Sequence, residues 1–134
     1  MNRLTVIFLS LLCISKVSFS QFKLDIEIIN IRNNTGKIML QLFDENEKII
    51  AQEQGPIKEN QCLISFPDLK PGKYAVRYYH DENLNGKMET NLVGKPTEGY
   101  GFSNNVIGTF GPPPFGKWLF DLNSDKKITL KPTY

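Results

Sequence analysis

Four segments of the chain alternate apolar and polar residues with the two-residue period of a half-buried β-strand. They are residues 22–31, 37–43, 61–66 and 73–80. In the first of them, Phe22 and Leu24 fall on one face, and Lys23 and Asp25 fall on the other. No stretch of ten or more residues shows the 3.6-residue period of an amphipathic helix. The pattern therefore predicts a chain that is mostly β.

Turn-forming residues separate these predicted strands. Residues 33–36 contain two Asn and a Gly, which tolerate a positive φ, so we expect an antiparallel hairpin there. Residues 67–72 contain two Pro and a Gly, which is typical of a tight turn. Three further strands are predicted, at residues 49–51, 118–122 and 128–130. Together the segments predict a single antiparallel β-sandwich of about seven strands.

Residues 81–116 have a different composition from the strands. They hold seven of the ten glycines and four of the eight prolines, so they cannot form one regular element. They also contain six large apolar anchors, which disordered segments lack. We expect a long ordered loop that packs over one end or face of the sheet.

The N-terminus has the layout of a secretory signal peptide. Arg3 precedes an apolar run at residues 4–14, and Ser18 and Ser20 suit cleavage before Gln21. The run is shorter than the ~20 residues that a membrane-spanning helix needs. We therefore expect residues 1–20 to be removed. A single domain of residues 21–134 would then be exported to the periplasm or the medium, with no transmembrane segment.

The charge balance excludes two classes of partner. Loss of residues 1–20 removes two bases and no acid, which leaves 14 bases against 14 acids. A neutral chain with scattered charges lacks the basic footprint of a nucleic-acid-binding protein. It also lacks a polybasic segment for anionic lipid.

Cysteine content predicts no disulfide in the exported domain. Cys13 is lost with the signal peptide, so Cys62 stays alone. The alternation places Cys62 on the same face as Ile64, where a free thiol behaves as a small apolar group. We interpret Cys62 as an inert core residue.

The segment that follows the fourth strand has the pattern of a cation-binding loop. Oxygen-bearing side chains alternate, Gly86 permits a sharp turn, and a carboxylate follows three residues later. The predicted Ca²⁺ ligands are the side chains of Asp81, Asn83, Asn85 and Glu89 and the carbonyl of Lys87. Two carboxylates among five ligands predict a Kd on the order of 10⁻⁴–10⁻³ M. The alternative is an Asx-rich turn whose side chains bond their own backbone.

The aromatic residues of the long loop allow two interpretations. They pin the loop onto the sheet, or they form a stacking platform for sugar rings or a peptide. The candidate ligand face comprises Tyr100, Phe102, Asn104, Phe110 and Phe115. His80, the only histidine, continues the apolar face of the fourth strand. We expect it to be hydrogen-bonded at the edge of the core.

Three motifs occur in a fixed order along the chain. They are Phe66-x-Asp68-Leu69-x-Pro71-Gly72-x-Tyr74, His80-Asp81-x-Asn83-x-Asn85-Gly86-Lys87 and Glu98-Gly99-Tyr100-Gly101-Phe102-Ser103-Asn104-Asn105. With the signal peptide, they resemble the exported bacterial proteins grouped as domain of unknown function family 2141, over about residues 22–134. The resemblance implies a small exported β-sandwich and supplies no activity. The second half of the first motif is also similar to turns of transthyretin-like and carboxypeptidase-regulatory-like modules, and Pro114 departs from the small residue that the family pattern has.

Two classes of function follow from the sequence. The first is an exported, non-enzymatic binding or accessory module for a glycan, a peptide or a cell-surface partner, with calcium as a structural ion. The second is a small extracytoplasmic hydrolase that uses carboxylates of residues 81–98. A cleft holding two carboxylates about 5–10 Å apart would favour the hydrolase.

Overall fold

The computed structural model describes residues 17–134. Residues 1–16, which hold most of the predicted signal peptide, lie outside the described part, and residues 17–20 have no regular structure. The strands are β1 Phe22–Ile28, β2 Lys37–Asp44, β3 Ile49–Pro56, β4 Cys62–Leu69, β5 Gly72–Asp81, β6 Tyr100–Phe102, β7 Phe120–Leu122 and β8 Lys126–Leu130. Two 3₁₀ turns, Ser103–Asn105 and Phe115–Lys117, are the only helical elements among the described residues. The predicted all-β class is confirmed.

The strands form two sheets. One has the order β4-β1-β8, and the other has the order β3-β2-β5-β6, with β7 pairing the start of β5. All pairs are antiparallel except β1 with β8, which run parallel. The expectation of a purely antiparallel arrangement is therefore wrong at this pair. Within the described residues, no helix is long and apolar enough to cross a membrane.

The predicted hairpin between the first two strands is also wrong, because β1 and β2 lie in different sheets. Residues 29–36 carry the chain from one sheet to the other. Ile31 is buried in the core, and its N–H donates to the Asn60 carbonyl oxygen at 3.0 Å. Gly36 then takes a φ of 72° as the chain enters β2. Alternation specifies which face of a strand is buried, but it does not specify the neighbouring strand.

The inner faces of both sheets share one apolar core. It contains Leu24, Ile26, Ile28, Ile31, Ile38, Leu40, Leu42, Cys62, Ile64, Phe66, Tyr74, Val76, Tyr78, Phe120, Leu122 and Leu130. The buried faces predicted for the four alternating segments, including that of Cys62, are confirmed. His80 is fully buried beside this core, and its ring nitrogens lie 2.6 Å from the Thr35 carbonyl oxygen and 3.0 Å from the Tyr134 hydroxyl.

A second apolar cluster lies on the outer face of the five-stranded sheet. It consists of Phe43, Ala75, Phe102 and Trp118, with Phe115 packed at its edge. The Trp118 ring lies 5.9 Å from the Phe43 ring in an edge contact, and its indole N–H donates to the Pro113 carbonyl oxygen at 2.9 Å. This cluster fastens the segment 103–119 over one end of the sheet.

Candidate functional site

The exposure of residues along β5 shows that the outer face of the five-stranded sheet is covered at both ends and open in the middle. Alternate residues of a strand point to the same face, so the outward-facing ones are Ala75, Arg77, Tyr79 and Asp81. Ala75 and Asp81 are fully buried, whereas Arg77 and Tyr79 are only half-buried. The 103–119 segment covers the first end, and the loop of residues 82–98 covers the other. The middle of the outer face stays open between the two covers.

The open part of the sheet presents two rows of side chains that cross four strands in register. The first row is Gln54, Met39, Tyr79 and Tyr100. The second row is Gln52, Gln41, Arg77 and Phe102. Neighbouring strands lie about 4.8 Å apart, so each row is about 14 Å long. The two rows form a platform of amide, phenol, thioether and guanidinium groups.

The platform is the floor of a cleft of about 1240 Å³. One wall comes from the 82–98 loop through Met88 and residues 93–96, and the other comes from residues 108–112. The tips of both walls are apolar and exposed: Val93 is 87% exposed and Phe110 is 103% exposed. Exposed apolar side chains flanking a concave surface are typical of a ligand-binding groove.

Arg77 lies in the floor of this cleft without an acidic partner. Its Nε donates to the Gln41 side-chain oxygen at 3.1 Å, and one Nη donates to the same oxygen. The guanidinium carbon lies 5.3 Å from the centre of the Phe43 ring, on which it stacks. Arg77 belongs to none of the salt bridges that residues 17–134 form.

Two buried carboxylates fix the loop that forms the first wall. Asp81 is 0% exposed, and its oxygens accept the N–H groups of Asn85 at 3.2 Å and Gly86 at 2.9 Å. Glu98 is 4% exposed, and its oxygens accept the N–H groups of Glu82 and Glu89, both at 3.0 Å. Neither carboxylate forms a salt bridge within the described part of the chain. The loop is therefore organised by acceptor groups that carry negative charge.

The structure brings four of the five predicted Ca²⁺ ligands into one hydrogen-bond network. Glu89 accepts the side-chain amides of Asn83, at 3.0 Å, and Asn85. The side-chain oxygen of Asn83 also accepts the Asn85 N–H at 3.2 Å, and that of Asn85 accepts the Lys87 N–H at 2.9 Å. The two bonds from backbone N–H groups to the Asn83 and Asn85 side-chain oxygens are those of an Asx-rich turn. Among residues 17–134, no group of three or more His, Cys, Asp or Glu side chains is placed to hold a metal ion, and the predicted set contains only two carboxylates.

Glu98 is the residue of this site that the spacing of the loop did not identify. It lies nine residues after Glu89 in the sequence, yet its carboxylate accepts the Glu89 N–H. The Glu98-Gly99 motif and the hydrolase hypothesis for residues 81–98 both included it, but neither gave a position for its side chain. The carboxylates named for a hydrolase also lie outside the cleft lining, where Glu53 is the only acidic residue among those described.

Arg32 and Tyr134 pack beside the two ends of the 82–98 loop. Arg32 lies with its guanidinium carbon 4.5 Å from the centre of the Tyr134 ring, and its Nε donates to Glu82 at 2.6 Å. This hydrogen bond to Arg32 lowers the pKa of the Glu82 carboxyl below its ordinary value of 4.5. The Tyr134 ring occupies the space that a side chain at residue 99 would fill, which explains the glycine there.

Only some residues of the predicted ligand face line the cleft. Tyr100 and Phe110 line the cleft, and Phe102 lines it while packing into the Trp118 cluster. Phe115 packs against Trp118 with ring centres 5.3 Å apart. The Asn104 amide donates to the carbonyl oxygens of residues 117 and 119. Phe115 and Asn104 thus hold the cover in place and do not line the cleft.

Five polar residues of the platform were not predicted as site residues: Gln41, Gln52, Gln54, Arg77 and Tyr79. Gln41, Arg77 and Tyr79 are outward positions of strands whose alternation was recognised, and this alternation could have placed them on an outer face, but not on a face enclosed by two loops. Gln52 and Gln54 lie in the part of β3 beyond the strand predicted at residues 49–51.

The comparisons with known proteins give one match. A family model described as "Uncharacterized protein conserved in bacteria (DUF2141)" matches residues 26–130, a range that includes β1 to β8 except the first four residues of β1. No curated protein and no solved structure matches the chain significantly.

Proposed function

This chain belongs to the bacterial family DUF2141, described as uncharacterised, and from that premise we propose that it is an exported, non-enzymatic binding module. Its two sheets would be the layers of a transthyretin-like sandwich. The ligand is a glycan, a peptide or another cell-surface component. It occupies the cleft on the outer face of the five-stranded sheet.

The observation that carries this proposal is the platform of two in-register rows between two loop walls. Ligand sites are concave, largely preformed, and lined by apolar and aromatic groups with a few convergent polar groups. The cleft combines two tyrosines, two methionines and two phenylalanines with three glutamines and one arginine. Because Arg77 and Gln41 hold each other in place, part of the polar surface is ordered before a ligand binds.

Calcium is the second part of the proposal. Buried charges in proteins are usually paired with an opposite charge or coordinate a metal, because burial of an isolated ion is costly. Asp81 and Glu98 are buried carboxylates with backbone partners only. A Ca²⁺ ion held by the predicted ligands would place positive charge beside Asp81 and would rigidify the loop that forms a wall of the cleft.

Export is tested by the intact mass of protein recovered outside the cytoplasm. The proposal predicts a chain that begins at Gln21. A stable exported species that retains Arg3 would contradict cleavage near Ser20.

Binding is tested on glycan and peptide arrays with the chain of residues 21–134, which contains every described strand and both apolar clusters. Gln54→Ala removes an exposed amide from the platform, and Gln61→Ala removes an exposed amide outside the cleft. We expect Gln54→Ala to weaken every array signal about tenfold, through the loss of one hydrogen bond to the ligand, and Gln61→Ala to leave the signals unchanged. Equal effects of the two variants would place binding elsewhere. Shortened glycans among the eluted ligands would favour the hydrolase.

A further inference from the structure

Arg77 is a half-buried cation in the floor of the cleft, and the described residues offer it no carboxylate. A guanidinium has five N–H donors, of which Gln41 accepts two. Three donors are left without a partner among those residues. Partial burial lowers the effective dielectric constant around a charge, so the charge attracts a counter-ion that reaches it more strongly.

The charged groups of the cleft lining favour an anion. They are Arg77, Lys95 and Glu53, which sum to one positive charge. Asp81 and Glu98 lie under the 82–98 loop and direct their oxygens to backbone N–H groups. A planar guanidinium pairs with a carboxylate through two parallel hydrogen bonds, which a neutral ligand cannot offer.

The rest of the platform suits hydroxyl groups and sugar rings. Gln52 and Gln54 present exposed amides, and Tyr79 and Tyr100 present phenols over the same floor. The two strands in the middle of the floor, β2 and β5, are paired on both sides. A peptide therefore cannot add to them as a strand through its backbone. Only the outer edge of β3 is left for such pairing. Over the middle of the floor, recognition is by side chains, which suits a short oligosaccharide.

Resting on the proposed function, we propose that the ligand of the cleft is an oligosaccharide that contains uronic acid, and that Arg77 pairs with its carboxylate. The sugar rings lie along the two rows of the platform. Lys95, on the first wall, adds a second positive charge at the rim.

The test is calorimetric titration of residues 21–134 with hexamers of galacturonic, glucuronic and mannuronic acid and with the matching neutral hexose hexamers. Wild type should bind at least one uronate hexamer more tightly than its neutral counterpart, and the difference should shrink between 50 and 500 mM NaCl. Arg77→Gln should weaken uronate binding about 10- to 100-fold. Arg77→Lys should give an intermediate loss, because it keeps the charge and loses the paired geometry.

Lys127→Gln is the matched control, since Lys127 is on β8 in the other sheet and pairs with Glu27 at 3.2 Å. It removes one positive charge outside the cleft and should leave uronate affinity unchanged. Thermal melting of each variant reports whether Arg77 substitutions disturb the fold. If Arg77→Gln does not fold, Arg77→Lys alone tests the pairing of Arg77 with the carboxylate.

The outcomes separate the two proposals. Equal affinity for uronate and neutral hexamers, or an Arg77→Lys affinity equal to that of wild type, overturns the role of Arg77. If only acidic or neutral peptides bind, and Gln54→Ala weakens them, the cleft remains a binding site and the uronate inference is wrong. If neither glycans nor peptides bind in the cleft, both proposals are wrong.

Discussion

Asp81 and Glu98 hold the same loop from its two sides, because each of their four carboxylate oxygens accepts one backbone N–H of residues 82–89. Asp81 ends β5, and Glu98 lies two residues before the first residue of β6. The loop is therefore tied to the two strands that carry Tyr79 and Tyr100. Because Gly86 and Met88 of this loop line the cleft, order in the loop and the shape of the cleft are coupled.

Calcium should stabilise the fold if the loop binds it. A Kd of ~10⁻³ M and ~10 mM Ca²⁺ give a stabilisation of about 1.4 kcal/mol, which corresponds to a rise of about 5 °C in the unfolding midpoint for a domain of this size. Thermal unfolding in 10 mM Ca²⁺ and in chelator measures it. The shift should vanish in Asp81→Asn and persist in Glu45→Gln, an exposed acid outside the loop. An unmoved wild-type midpoint would leave only the Asx-rich turn.

Gly36→Ala should destabilise the protein by about 2–4 kcal/mol. Gly36 has a φ of 72°, and a β-carbon there would overlap the backbone carbonyl of Asp81. Gly116→Ala is the control, since no atom lies within 4 Å of the added β-carbon. Urea unfolding of both variants measures the change. A loss below 0.5 kcal/mol for Gly36→Ala would show that the crossing segment 29–36 can shift away from Asp81.

The contact between Arg32 and Glu82 should make stability depend on acid pH. Because the folded-state pKa of Glu82 lies below its ordinary value of 4.5, the contribution is present above that value. It is lost as the pH falls through the folded-state pKa. The pair is partly exposed, so the effect should stay below about 1 kcal/mol. The unfolding midpoints of wild type and Glu82→Gln, measured from pH 7 to pH 3, should converge at the acid end. A constant difference between the two midpoints would contradict a pH-dependent contribution from the contact between Arg32 and Glu82.

Cys62 should resist thiol reagents in the folded protein. It is 3% exposed, and burial raises the pKa of its thiol to about 11. At pH 8 the thiolate, which is the reactive form, is scarce, and the reagent cannot reach it. Labelling with a chromogenic disulfide should be slow in buffer and rapid in denaturant. Rapid labelling in buffer would indicate an open and reactive thiol.

The strands could be predicted from the sequence where one face meets the core. The alternation of residues 22–28 and 73–80 matches β1 and β5, because a two-residue period follows directly from burial on one side. Pairing could not be predicted, since β1 lies beside β8, about a hundred residues later, and not beside β2. The three-residue strand β6 was also missed, because three residues in a Gly-rich segment show no period.

The residues of the predicted Ca²⁺ loop are neighbours in the sequence, whereas the residues of the cleft are not. Asp81, Asn83, Asn85 and Glu89 are close in the sequence. The side chains of Asn83, Asn85 and Glu89 meet, and the Asp81 carboxylate accepts the backbone N–H of Asn85. The rows of the cleft draw each residue from a different strand, so only the register of the sheet assembles them. Arg77 looked like an ordinary solvent-facing residue of a strand until the two covers enclosed it.

The most direct test of binding in the cleft is an NMR titration of isotopically labelled residues 21–134 with the tightest ligand from the glycan and peptide arrays. We expect shift changes at the side-chain amides of Gln52 and Gln54, at the Arg77 guanidinium, and at the backbone of residues 86–96 and 108–112. The outward residues of β1, β4 and β8 should not change. Shift changes confined to that other sheet, or none at a saturating ligand concentration, would contradict the cleft as the binding site.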